Sequence, residues 1–242
     1  RIKYRFLEQM IDFYIEQNVD GILFAPVELT RNCFSINKKI ISKIEKCNIP
    51  IVLVDGEYHE FPLRSKYDLV GIDNFRAGYV SALHFIEQGA KRVDFLCQSF
   101  MAQTVPQRIK GYQQALLDSG ITPHKTWVHD IQNFSSKELL PLIQNGAQNI
   151  ICANDNTAMK FIKALSDADI KIPKDVRLSG FDDIEAARYF PIPLTTVAQP
   201  CKDLAEVIIH TMLTRIENPH LPARTLMLDF ELKIRESSKI PG

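Results

Sequence analysis

An excess of charge of either sign is the first thing this 242-residue sequence lacks, because 29 Lys and Arg stand against 29 Asp and Glu. With no net field, nothing draws the chain as a whole toward nucleic acid or an anionic membrane. Any DNA contact falls to a segment outside this sequence. No apolar run approaches the roughly 18 residues of a membrane span, and the opening RIKYRFLEQM has no signal-peptide hydrophobic stretch. Cysteines stand at 33, 47, 97, 152 and 201, with no CxxC pair and no Cys/His group at zinc spacing. Cys97 and Cys152 lie in apolar runs, where a thiol behaves as a small hydrophobe. The expectation is reduced thiols in a cytoplasm, with no metal and no cofactor.

Enzyme signatures are also missing. There is no GxGxxG, no GxxxxGK[ST], no HExxH and no GxSxG elbow. The six histidines are scattered, and His84 and His210 fall within amphipathic helical stretches. Asp182 and Asp183 are adjacent, so their side chains point apart rather than flanking one bond. No catalytic residue is expected, and an enzyme is disfavoured.

What is present is a regular alternation. Residues 4–17 place Phe6, Met10, Phe13 and Tyr14 on one helical face, and residues 35–47 read as a second helix. DNFRAGYVSALHFIEQG reads as a helix with Asp73 or Asn74 as N-cap and Gly89 after its end. Further helices are expected near 105–119, 136–145 and 156–168. VDGILFAP, IVLVD, YDLVGID, RVDFLC, NIICA and VRLSGF are short apolar strands between them. Continuous apolar strands alternating with helices mean a parallel sheet covered on both faces, the doubly wound α/β class. The chain opens on a helix, whereas the first strand of such a sheet is usually central. The expectation is therefore that a first strand–helix–strand, roughly 40 residues or more, precedes this sequence.

In sheets of this class ligands gather at the carboxyl ends of the strands. The polar residues there are Asp55 after IVLV, Asp73, Gln98 and Ser99, Asn154 and Asp155, and Asp182 and Asp183. Arg108 is placed in the first turn of the next helix, where a cation opposes the macrodipole. It is either bound to a ligand or carboxylate, or solvated. Asp55, Arg108, Asn154 and Asp182 suit a polyhydroxylated ligand, whose neighbouring hydroxyls need donors and acceptors at fixed separation. Asp73, Asp155 and Asp183 read more simply as helix N-caps.

Several segments in order, ICANDNTAM, IPKDVRLSGFDDIEAARYFPIPLTTVAQP and ELKIRESS, resemble the effector-binding domain of the lactose/galactose repressor family. VDGILFAP, IPIVLVD, VGIDNFRAGYVSALHFI and the R-x-x-G-Y of RIKGYQQAL match it too, so the resemblance covers nearly the whole chain. It implies the periplasmic-binding-protein-like type I fold: two Rossmann-like lobes, with residues 1–71 plus 201–224 in one and 72–200 plus 225–242 in the other. A sugar or related effector would lie in the cleft between them. It also implies a homodimer and operator DNA bound through an N-terminal module not in this chain. Carried over position by position, the effector contacts are Asp55, Arg108, Asn154, Asp182 and Gln199, the last by resemblance alone. Two departures are Gly89-Ala90 in place of the family's Gly-His, and Lys160 in place of a small residue. In the variable loop 98–107, Phe100 and Met101 could stack on a sugar's C–H face.

The expected function is the sensor and dimerisation domain of a bacterial transcriptional regulator working in the cytoplasm. The alternative is a periplasmic sugar-binding protein of an uptake system. The dimer surface is expected on helices 4–17, 35–47 and 202–216, with Ile208, Ile209, Met212 and Leu213 as candidates.

Overall fold

Strand residues such as Val52, Leu53, Phe95, Ile150 and Ile151 are fully buried, as strands covered on both faces require. The structure, a computed structural model, describes residues 2–28, 30–100 and 102–240, except the side chains of residues 2–5 and Ser136. Met101 therefore lies outside the described residues. The first elements are α1 (Ile2–Glu16), β1 (Ile22–Phe24), α2 (Cys33–Glu45), β2 (Ile51–Val54) and β3 (Asp68–Ile72). Next come α3 (Asn74–Glu87), β4 (Asp94–Cys97), α4 (Thr104–Asp118), β5 (Val128–Asp130), α5 (Ser136–Gln144) and β6 (Asn149–Cys152). The last are α6 (Asp155–Asp167), β7 (Arg177–Phe181), β8 (Thr195–Ala198), α7 (Cys201–Glu217), β9 (Thr225–Leu228) and β10 (Glu231–Lys233).

The chain divides into two units, one of Arg1–Ile72 with Cys201–Leu228 and one of Asp73–Pro200 with Asp229–Gly242. The first carries a parallel sheet in the order β1-β2-β3-β9. One face packs Ile22, Phe24, Ile51 and Leu53 against Ile11 of α1 and Ile40, Ile41 and Ile44 of α2. The other packs Val52 and Val70 against Ile208 and Met212 of α7. Ile208 and Met212 thus seal the core and are not available to a partner, contrary to expectation. Helical spacing gives two candidate faces, and the sheet claims this one. Ile209 and Leu213, on the other face of α7, are more than half exposed. Residues 225–228, assigned above to the second lobe, pair in register with Leu69–Ile72 and complete the first sheet.

The second unit has six strands in the order β10-β8-β7-β6-β4-β5, all parallel except β10. Alternation along β6 sends Ile150 and Cys152 into a core with Phe161 and Leu165 of α6. On the opposite face the ring of Phe95 lies 5.7 Å from that of Tyr112 in α4. Both units are doubly wound, as the alternation of elements predicts.

Candidate functional site

Two glycines set where Arg108 stands. A Cβ on Gly78 of α3 would lie 2.0 Å from the Arg108 carbonyl oxygen, and one on Gly111 of α4 would lie 1.8 Å from that of Phe75. Helices α3 and α4 therefore touch backbone to backbone, and α4 presents its fifth residue at the carboxyl ends of the strands. Arg108 is one residue further into its helix than the sequence places it, because α4 begins at Thr104.

The side chain is neither solvated nor loose. Arg108 is 3% exposed, and its Nε donates to Asn74 Oδ1 at 2.8 Å while Nη1 donates to the Ala153 carbonyl at 2.7 Å. Its guanidinium carbon lies 4.5 Å from the centroid of Phe181, a cation–π arrangement. Nη2 is 3.9 Å from Asp182 Oδ1, close enough for attraction and too long for a hydrogen bond. Gln199 Nε2 donates to that same oxygen at 3.0 Å. Asp182 has φ +107 and Asp183 +47, a run of unusual backbone where β7 ends. The two carboxylates diverge, as adjacency requires. Asp183 accepts from Arg188 at 3.1 Å and from Arg235 at 2.6 Å.

Asn154 is the N-cap of α6, its Oδ1 accepting from the Thr157 N–H at 2.8 Å. This cap reserves its amide hydrogens for another acceptor. The structure therefore brings Arg108, Asp182 and Gln199 together, with Asn154 at the neighbouring strand end. Phe100 sits in the turn after β4 with φ +61 and is 46% exposed. Asp55 belongs to the first unit, where it ends β2 with φ +66 and its N–H donates to the Val70 carbonyl. Gly71 gives its backbone room, since a Cβ there would lie 3.2 Å from Asp55 Cα.

The capping assignments divide. Asp73 does cap α3, accepting from the Arg76 N–H. Asp155 does not cap α6. It is fully buried, accepting from Thr196 Oγ1 at 2.7 Å and from the Ile184 N–H at 3.0 Å. Gly180 makes the space, because a Cβ there would lie 2.3 Å from Asp155 Oδ1. Burial pushes the Asp155 carboxyl up to about 7 against the hydrogen bonds from Thr196 and Ile184, with Asp182 and Asp183 adding to the rise. Burial likewise lifts the Cys97 thiol to about 12 and raises that of Cys152, so both are inert thiols. Among the described residues no group of three or more His, Cys, Asp or Glu could hold a metal ion.

Residues 82–238 match the periplasmic binding protein-like domain. The chain belongs to that family. Among curated relatives, the HTH-type transcriptional repressor PurR of Photobacterium profundum is 29% identical over 232 residues, which are 93% of this chain and 66% of the relative. The chain thus spans just under two thirds of that relative's length. The transcription regulator CcpA of Lactococcus lactis superposes with a TM-score of 0.77 at 26% identity, covering 96% of this chain and 83% of the other. A LacI family transcriptional regulator from Enterococcus faecium, solved with bound ribose, gives 0.74 at 25% identity, over 93% and 82%. The resemblance to the lactose/galactose repressors holds, and all three relatives are transcription regulators rather than uptake proteins or enzymes.

Within this periplasmic binding protein-like domain, residue-by-residue reading overlooked Asn74 and Phe181, which hold Arg108, and took Asp155 for a cap. The RESS ending noted above also has a structural task here. Arg235 reaches Asp183 and the Leu194 carbonyl, and buried Ser237 bonds to Leu178 and Thr195, fastening the strand-end segment from behind.

Proposed function

We propose that the chain is the effector-sensing domain of a bacterial transcriptional regulator. In this reading the second unit takes a small polyhydroxylated ring, a sugar or nucleoside-like molecule, at the carboxyl ends of its strands. The observation that carries it is the Arg108–Asp182 pair. A fully held guanidinium faces a carboxylate at 3.9 Å, and a bound hydroxyl there can accept from Nη2 and donate to Asp182 in one step. Asn154 and Gln199 supply amides beside it, and Phe100 an apolar surface. Asp55 is the first unit's candidate contact.

The ribose bound to the Enterococcus faecium regulator supports this ligand class. The regulatory step is a population shift, for which a coupling of about 1–3 kcal/mol suffices. Operator DNA is read by an N-terminal module, and the protein acts in the cytoplasm as a homodimer without catalysing a reaction. Exposed Ile209 and Leu213 of α7, with Phe13 and Tyr14 of α1, are its candidate contacts.

A thermal-shift panel of pentoses, hexoses, sugar acids, sugar phosphates, nucleosides and purine bases tests this. A ligand at 100 times Kd stabilises the fold by about 2.7 kcal/mol. The expected result is a hit lost in both Arg108→Ala and Asp182→Asn. A hit that survives both substitutions, or none across the panel, overturns the reading.

A further inference from the structure

The opposite end of the second sheet is also built around arginines. Three loops, 88–92, 146–149 and 173–177, lead into the amino ends of the adjacent strands β4, β6 and β7 and enclose a concavity of about 420 Å³. Its lining holds four cations, Lys91, Arg92, Lys174 and Arg177, and a single acid, Asp175.

These cations are not equally compensated. Arg92 is neutralised, since Nε and Nη2 both reach the buried Asp94 carboxylate at 2.8 Å. Arg177 has no such partner. Its Nε donates to Asn149 Oδ1 at 2.8 Å and its Nη1 to Gln88 Oε1 at 2.6 Å, both neutral acceptors. Lys91 and Lys174 form no ion pair among the described residues, and Asp175 spends an oxygen on the Lys171 N–H. Three cations against one acid leave the cavity positive in a chain with no net charge.

The guanidinium of Arg177 is also held in advance. Gln88 is fixed by His84, which in turn meets Ser238 at 2.7 Å, and the Asn149 amide donates to the Arg92 carbonyl. The Phe85 ring lies 5.6 Å from the Arg177 guanidinium carbon. Burial lowers the pKa of Arg177, and burial with the Arg177 charge lowers that of His84, favouring the neutral imidazole that meets Gln88. A partly buried cation without a counter-charge is costly unless something supplies one. Its fork matches the paired oxygens of a phosphate.

We infer that this cavity is a second binding site, distinct from the carboxyl-end site, for a small phosphate-bearing anion held by Arg177, Lys174 and Lys91. Free pyrophosphate and the phosphate of a phosphorylated metabolite share the chemistry.

The test is calorimetric titration of the chain with inorganic phosphate, pyrophosphate, glucose 6-phosphate and glucose, each at 50 mM and 300 mM NaCl. The expected result is saturable binding of pyrophosphate that weakens with salt. Arg177→Gln should weaken it at least tenfold, and Lys174→Gln, an exposed position that leaves the fold intact, several-fold. Arg108→Ala should leave it unchanged, which separates this site from the one proposed above. Glucose 6-phosphate binding without glucose binding assigns the site to a phosphorylated metabolite, and pyrophosphate binding alone to the free anion. No saturable binding of any phosphate, or binding indifferent to Lys174→Gln and Arg177→Gln, overturns the inference.

Discussion

The two ends of the second sheet are both rich in charge and are organised on opposite plans. At the amino ends, Asp94 is fully buried and satisfied by Arg92 and His129 across short, well-aligned bonds. In the loops feeding β4, β5, β6 and β7, Gly89, Gly120 and Gly146 carry positive φ without strain, and Asp169 is the one non-glycine there to do so among the described residues. At the carboxyl ends, Phe100, Asp182 and Asp183 carry positive φ without being glycine, and Arg108 and Asp182 stop short of a hydrogen bond. Strain and one open charge pair, Arg108–Asp182, mark the carboxyl ends, whereas at the amino ends the buried Asp94 is fully paired and the uncompensated cation is Arg177 in the neighbouring cavity.

If this contrast is right, substitutions at the two ends separate stability from binding. The largest effect is expected for Asp94→Ala, which strands Arg92 and His129 and costs about 3–5 kcal/mol in denaturant melts. Effector affinity in the fraction that remains folded should not change. Arg108→Ala is expected to cost at least about 100-fold in effector affinity by titration, because it truncates a buried charge facing the ligand, and some stability as well, because it leaves Asn74 and the Ala153 carbonyl without their partner. Asn74→Ala leaves the cation in place and frees its Nε end. An affinity loss of roughly tenfold is expected, in line with one lost charged hydrogen bond, with the far-UV spectrum unchanged.

A further effect, spread over the whole interval between the unfolded and folded values, concerns pH. Asp155 titrates near 7 in the folded chain against the ordinary carboxylate range when unfolded, so between those values the folded state holds more protons. Its contribution therefore falls as pH rises toward 7, by up to about 1.4 kcal/mol per pH unit, and is flat above. The stability of wild type minus that of Asp155→Asn should show this slope between pH 4 and 7. A difference curve that rises with pH would place the carboxylate in a stabilising pair instead.

Much of this was legible in the sequence. Apolar strands alternating with amphipathic helices establish the class, and strand-end position alone picks out Arg108, Asn154 and Asp182. What it hides is partner choice over distance. Capping is local, so Asp73 could be read correctly, whereas the partners of Asn74 and Asp155 lie 34 and 41 residues away. Short strands escaped for a related reason. β8 reads TTVA, yet both threonines are fully buried because their hydroxyls bond to Asp155, Ser238 and the Arg235 carbonyl. β9 alternates with exposed Thr225 and Met227, and β5 and β10 are three residues long. The faces of α7 differ only in what packs on them, and sequence spacing could not assign Ile208 and Met212 to the core.

Arg108, held by Asn74, Ala153 and Phe181, is the proposed anchor for an effector at the carboxyl ends of these strands. Isothermal titration of the panel hit into wild type, Arg108→Ala and Lys174→Gln tests it most directly. Undiminished binding to Lys174→Gln and binding at least about 100-fold weaker to Arg108→Ala are expected. Equal affinity for wild type and Arg108→Ala would contradict it.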